Sequence, residues 1–463
     1  MTYDVIVIGS GPGGYVAAIR ASQLGMKTAV VERSEPGGIC LNWGCIPTKA
    51  LLKSAQVFEY AKHAADYGVQ TEGSVNADFP AMVNRSREVA ATMSKGIQYL
   101  FRKNKIDLLQ GTGKLQQGIS VEVTDAEGKS TTFQAKQVIL ATGARSRELP
   151  NLLQDGKYII GYREALTLDR VPESMVVVGS GAIGTELAFL YQTLGCNVTL
   201  VEFLPEIIPT EDEEVSKQMA RNLKKMGMKV MTKSSVEKVA IENGKCKVQI
   251  LTSKGTEDIE AEIVLSAVGI TSNLENIGIE ELGIKTENGK ILVDEFYRTN
   301  VSGVYAIGDL VPGPALAHVA SAEAIVCVEK IAGLNVEPVD YKNIPGCIYT
   351  SPEVASVGIS EKKAIEAGYE LKVGKFPFTA SGKATAAGTR DGFIKVIFDA
   401  RNGQWLGAHF IGANVTEMIA EAVVARKLGA TGHEILKSIH PHPTMSEAIM
   451  EAVAAAYNEA IHI

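Results

Sequence analysis

The chain has 463 residues, 46% of them hydrophobic, and a formal net charge of −7. That is enough for about three domains with substantial cores, and it argues against nucleic acid or an anionic membrane surface as a partner. No apolar stretch reaches the roughly 18 residues that a membrane helix requires; with a first strand expected from Tyr3, no signal or transit peptide fits ahead of it, so a cytoplasmic location is expected.

The first element is a strand at residues 5–8, which leads into Gly9-Ser10-Gly11-Pro12-Gly13-Gly14, a helix to about Gly25 and a second strand ending at Glu32. Directly after it, Cys40 and Cys45 stand five apart in the segment 37–49. On a regular helix such positions point away from each other, so a bond between them needs a distorted turn, for which Gly44 and Pro47 are suited. Three readings compete for the pair: a redox dithiol, two buried cysteines, or half of a metal site. Zinc is disfavoured because no second Cys or His pair lies at ligand spacing, and no metal is expected. Cys196, Cys246, Cys327 and Cys347 are scattered and read as reduced packing residues.

The opening pattern then returns. A strand at residues 175–178 leads into Gly179-Ser180-Gly181-Ala182-Ile183-Gly184, a helix to about Gly195 and a strand ending at Glu202, an offset of 170 residues from the first copy. One such glycine turn is weak evidence. Two copies, each between a buried-type strand and a helix and each followed by an acid at the same distance, are strong evidence for two Rossmann-type units. Gly9 and Gly179 permit the tight turn, Gly11 and Gly181 let the backbone approach a pyrophosphate, and Gly14 and Gly184 allow close helix packing. Glu32 and Glu202 can then hydrogen-bond ribose hydroxyls.

Two nucleotide folds beside a dithiol suggest two cofactors, FAD on the first unit and NAD on the second. The runs 138–143, with Thr142 and Gly143 at its end, and 301–309, ending in Asp309, read as strands whose small-residue turns approach the flavin nucleotide. The expected architecture is α/β: an FAD-binding domain (1–149), an NAD-binding domain (150–270), a central segment returning to the FAD domain (271–344), and a C-terminal α+β dimerisation domain (345–463). In the last, the runs 392–398 and 406–410 read as alternating strands.

Near the C-terminus stands Ile439-His440-Pro441-His442-Pro443-Thr444-Met445-Ser446-Glu447. His442 and Glu447 could form a base and its orienter. The run 444–447 equally matches a capping box, in which Glu447 serves only the helix. The segment alone favours the cap; the dithiol reverses that, because thiol exchange needs a thiolate and so a base for an incoming thiol.

On the segment 37–49, the run 305–309 and the run 440–447, the chain resembles the disulfide-reducing flavoprotein oxidoreductases over essentially its whole length. The resemblance implies that Cys40 is the interchange thiol, that Cys45 lies against the flavin, and that Lys49 pairs with Glu186 near the flavin N5. It also implies that Asp309 binds the FAD ribitol chain and that His318 lies close to the flavin ring. Many members carry an arginine after the glycine matching Gly269, where this chain has Ile270. The branch it resembles oxidises dihydrolipoyl groups on lipoyl domains and reduces NAD, as a homodimer in which His442 and Glu447 come from the opposite subunit, docked to the acyltransferase core of a 2-oxo acid dehydrogenase complex or serving glycine cleavage. A reductase with another thiol substrate, or a mainly docking subunit, are the alternative readings.

Overall fold

The computed structural model describes residues 2–463. The chain divides into two compact units, the first made of residues 1–50, 80–147 and 270–339 and the second of residues 51–79, 148–269 and 340–463.

In the first unit, β1 (Thr2–Ile8) leads through the glycine turn into α1 (Pro12–Gln23) and on to β2 (Thr28–Glu32). β1 pairs in parallel with β2, Ile8 opposite Val31, and on its other side with strand Ser130–Leu140, Ile8 opposite Leu140. Its side chains are buried on both faces. Val5 and Val7 pack with Ala17, Ala18 and Ala21 of α1, while Ile6 and Ile8 pack with Leu115, Val121 and Val138, which is why the strand reads as a continuous apolar run. Strand Asp107–Gln110 extends this seven-stranded sheet beyond β2, and Ser120–Thr124 and Thr112–Gln116 extend it the other way. Strand Val304–Ala306 joins it too, in parallel beside Ser130–Leu140. After β2 come α2 (Gly38–Asn42) and α3 (Cys45–Lys62).

The second unit repeats the arrangement with β3 (Ser174–Val178), α4 (Ala182–Thr193) and β4 (Asn197–Val201). These strands lie in a five-stranded sheet, parallel throughout, completed by Lys229–Met231, Ile263–Ser266 and Ile159–Ile160. Asp212 caps the next helix, α5 (Glu213–Lys225), by accepting from Glu214 N. The C-terminal part is an antiparallel sheet in which β5 (Glu353–Gly358), β6 (Phe393–Asp399) and β7 (Trp405–Gly412) lie between strands Gly346–Ile348 and Leu371–Pro377. Helices α6 (Val415–Lys427), α7 (Gly432–Lys437) and α8 (Glu447–Ala456) follow. The alternation expected in β6 and β7 marks no wet face, because every residue of both strands is buried. Ile394, Val396 and Phe398 pack with Ile449, Ala452 and Val453 of α8. On the opposite face of β6, Lys395 is neutralised by Asp212, Glu214 and Glu361.

Candidate active site

The two glycine turns agree down to individual contacts. Gly9 has φ +102°, and a Cβ there would stand 2.3 Å from the Ala141 carbonyl oxygen; a Cβ on Gly14 would stand 1.9 Å from the Gly9 oxygen. In the second copy Gly179 has φ +96°, and a Cβ on Gly184 would stand 2.0 Å from the Gly179 oxygen. Gly11 and Gly181, by contrast, cap α1 and α4 with open space where a Cβ would be. Free amides at a helix N-terminus facing such space fit the pyrophosphate of a dinucleotide, as FAD and NAD require.

Each acid at the end of the second strand is fastened back to its own turn. Glu32 Oε2 accepts from Ser10 N at 2.9 Å and from Ser10 Oγ at 2.6 Å, and Oε1 from Ser34 N. Glu202 Oε2 accepts from Ser180 N and Oγ at the same 2.9 and 2.6 Å, and Oε1 from Leu204 N. The two serines escaped the sequence reading, although a serine follows the first glycine in both copies.

Further along the first unit, Thr142 Oγ1 donates to Asn273 O at 2.7 Å, and Gly143 follows at φ +68° with open space before it. Gly308 N donates to the buried Glu323 at 2.6 Å, which sets the turn Gly308–Leu310 that carries Asp309. Burial pushes the Asp309 carboxyl up, opposed by the nearby Lys290 ammonium, which also donates to the Asp309 carbonyl at 2.6 Å. His318 is the second residue of helix Ala317–Ile331. In the second unit Gly269 has φ +110° and open space around it.

The two cysteines straddle a helix break. α2 ends at Asn42, Trp43 and Gly44 lie outside either helix, and Cys45 is the first residue of α3. A Cβ on Gly44 would press to 3.2 Å from the Ile39 carbonyl and 3.5 Å from the Cys40 Cα, so glycine allows the chain to close on itself there. Pro47 sits in the first turn of α3, where it forfeits no helical hydrogen bond. The result is the distorted turn that the spacing demands, with the Cys40 thiol hydrogen-bonded to that of Cys45. This hydrogen bond, together with burial and the Cys45 charge, pushes the Cys40 thiol far up, while the Lys49 ammonium pulls the other way. Cys45 is the more exposed of the two. Arg87 steadies the turn: its guanidinium lies 4.2 Å from the Trp43 ring centroid and donates to the Asn42 carbonyl, while Asn42 Nδ2 donates to Pro36 O and Gly38 O. Neither Arg87 nor Asn42 was legible, since their partners lie across the fold or in the backbone.

In the second unit, Glu186 is buried in α4 and its Oε1 accepts from Tyr349 N at 3.0 Å. There too His442 and Glu447 meet. His442 Nδ1 lies 2.8 Å from Glu447 Oε1, and Glu447 Oε2 accepts from Thr444 N at 2.7 Å. Despite partial burial, that amide and the imidazole hold the Glu447 carboxyl below the usual range. Thr444 Oγ1 does not complete a capping box; it donates to Pro441 O at 2.7 Å. The His442 side chain is 79% exposed, and its Nε2 has no partner among the described residues. Among the same residues, no group of three or more His, Cys, Asp or Glu is placed to hold a metal ion, and no helix is long and apolar enough to cross a membrane.

Residues 3–324 match the family described as pyridine nucleotide-disulphide oxidoreductase, and residues 344–453 match its dimerisation domain. A protein of Rhizobium etli named dihydrolipoyl dehydrogenase is 50% identical over 481 residues, which cover 100% of this chain and 99% of that one. One of the same name from Bacillus subtilis is 46% identical over 99% of each chain. Among solved structures, LpdA from Mycobacterium tuberculosis superposes with a TM-score of 0.89 at 26% identity, covering 97% of this chain and 98% of that one.

Proposed function

Since this chain belongs to the pyridine nucleotide-disulphide oxidoreductases, we propose that it oxidises dihydrolipoyl groups to the lipoyl disulfide and passes the electron pair to NAD, the reaction of a dihydrolipoyl dehydrogenase. The reading is supported by an imidazole whose Nδ1 is held by Glu447 and whose Nε2 is open, and by two cysteines that straddle a helix break in the first unit.

In the proposed reaction His442 Nε2 takes the proton of a dihydrolipoyl thiol, and Glu447 stabilises the imidazolium that forms. The substrate thiolate attacks Cys40 Sγ of the Cys40–Cys45 disulfide; that bond breaks and Cys45 leaves as the thiolate. The second substrate thiol then attacks the substrate sulfur joined to Cys40, the lipoyl disulfide closes, and Cys40 departs and takes up a proton. When bound, FAD supplies two-electron transfer between this dithiol and NAD. Gly9, Gly11, Gly14, Thr142, Gly143 and Asp309 would hold it, with Lys49, Glu186 and His318 around its ring and Glu32 on a ribose. Gly179, Gly181, Gly184, Glu202 and Gly269 would hold NAD, and Glu202 disfavours a 2′-phosphate by like charge.

By the same proposal residues 1–149 and 271–344 form the FAD domain and 150–270 the NAD domain. Residues 345–463 pair two copies in a cytoplasmic homodimer, so that His442 and Glu447 of one subunit serve the dithiol of the other. The natural substrate is then the lipoyl domain of an acyltransferase core. The test is a panel of dihydrolipoamide, glutathione disulfide and mercuric ion, each with the NAD and NADP forms. Turnover should be confined to dihydrolipoamide with NAD; equal kcat/KM for NAD and NADP would remove Glu202 from its role, and preference for another thiol pair would overturn the substrate.

A further inference from the structure

Two residues before His442, a second histidine is held in the opposite way. The His440 side chain is only 7% exposed, against 79% for His442. Its Nε2 lies 2.8 Å from Glu421 Oε1 of α6, and its Nδ1 lies 3.2 Å from the Ser438 carbonyl oxygen. A carboxylate and a carbonyl both accept. A neutral imidazole has one donor nitrogen and could satisfy only one of them, whereas the imidazolium donates from both. We infer that His440 is a standing imidazolium, fixed by Glu421 and Ser438, which acts as a positioning residue by setting the proton affinity of the His442 and Glu447 pair.

Other observations agree. The Glu421 carboxylate, followed by the Ser438 carbonyl and Glu447, raises the proton affinity of His440 above that of an ordinary histidine in spite of burial. In return the His440 charge helps to hold the Glu447 carboxyl low. The titratable groups facing the ring are Glu421 from α6 and Glu447 from the first turn of α8; the third contact is backbone. The two histidines thus divide the work: His442 keeps a nitrogen open to exchange a proton, and His440 keeps its charge because neither nitrogen is open.

This inference rests on the assignment of His442 and Glu447 as base and orienter, and it fixes a sign. A cation beside a base lowers the affinity of that base for a proton. Removing it raises that affinity, whether the effect runs through Glu447 or acts on His442 directly. In the flavin-loaded, full-length protein, His440→Asn should therefore move the acid limb of the kcat/KM profile for dihydrolipoamide upward by roughly half to one pH unit. Its flavin content and its NADH oxidation by an artificial acceptor should stay at wild-type levels. An unmoved limb in a flavin-loaded variant overturns the inference. Should His440→Asn fail to fold, the ring charge is read directly by selective 15N labelling, which seven histidines make practicable. The wild-type His440 signal should show both nitrogens protonated at pH 7, and Glu421→Gln should bring its titration to lower pH; a neutral wild-type ring, or no change in Glu421→Gln, overturns it. His442→Gln run alongside separates the two failures, because retention of turnover there defeats the base assignment itself.

Discussion

Glu447 has two oxygens, and each does something different. Oε1 meets the His442 ring and Oε2 meets the Thr444 amide at the start of α8. The contact to an imidazole and the contact to the Thr444 amide, which the sequence poses as rivals, are made by one side chain at once. His442→Gln should lower lipoamide turnover by roughly 10²- to 10⁴-fold, the usual share of a positioned acid–base group, with bound flavin retained. Glu447→Gln should lose less activity, since an amide can still accept from Thr444 N but cannot stabilise an imidazolium. The fraction of activity left, plotted against loss of thermal stability, tells the two roles apart: an effect on Tm alone would reduce Glu447 to a cap. The dithiol gives a second expectation at this scale. In flavin-stripped protein Cys45, the more exposed of the two, should be alkylated before Cys40. Loading with FAD should reverse the order by covering Cys45. Mass mapping of the labelled peptides checks this, and an order indifferent to FAD would remove Cys45 from the flavin face.

At the scale of elements, the glycine turns separate two kinds of requirement. Gly14 is needed by the fold, because a Cβ there would stand 1.9 Å from the Gly9 oxygen. Gly11 is not needed by the fold in that way, because its Cβ would enter open space. Gly14→Ala should therefore lower Tm and flavin content together, whereas Gly11→Ala should leave the apoprotein's Tm near wild type while flavin affinity falls. Flavin absorbance and thermal scans of apo and loaded protein measure both; equal behaviour of the two variants would show that the turn has one role only. Elements of this kind were legible because their logic is local: strand, turn, helix and acid lie within one stretch of chain, and the helix break at Trp43 and Gly44 follows from a five-residue spacing. What the sequence hid is non-local or misleading in period. Arg87 reaches Asn42 across 45 residues, and Lys395, 183 residues from Asp212, lies on the face of β6 that an alternating pattern would leave to solvent. A helix, α5, covers that face instead, with Asp212 at its cap and Glu214 in its first turn.

At the scale of the molecule, that buried ion group ties the second unit together. Lys395 and Asp212 have side chains only 2% exposed; the carboxylates of Glu361, Asp212 and Glu214 raise the ammonium's proton affinity although burial opposes it. Lys395→Met leaves Asp212 buried without its cation and should cost about 3–5 kcal/mol, part of it recovered in Lys395→Met with Asp212→Asn. Beside Asp212, burial pushes the Glu211 carboxyl up to about 7, and its Oε2 has no hydrogen-bond partner. The unfolded chain ionises this group near its ordinary 4.5, so between those values the folded state holds the extra proton. Stability then declines as pH rises through that window and stays lower above it. Glu211→Gln should thus stabilise the protein at pH 8 relative to pH 5 by on the order of 3 kcal/mol; denaturant melts at the two pH values measure it, and parallel curves for the two proteins would contradict it. The duplicated serine latch carries a different consequence. Ser10 with Glu32 and Ser180 with Glu202 have the same pair of distances, so the fingerprint itself cannot decide which guest stays and which leaves after every turnover. On the proposed assignment, residence time would then be set outside the turns, by Thr142 and the turn of Lys290, Glu323 and Asp309 in the first unit, and by the open approach at Gly269 in the second. A tenant and a visitor are received at identical doors, and only the rooms behind them differ.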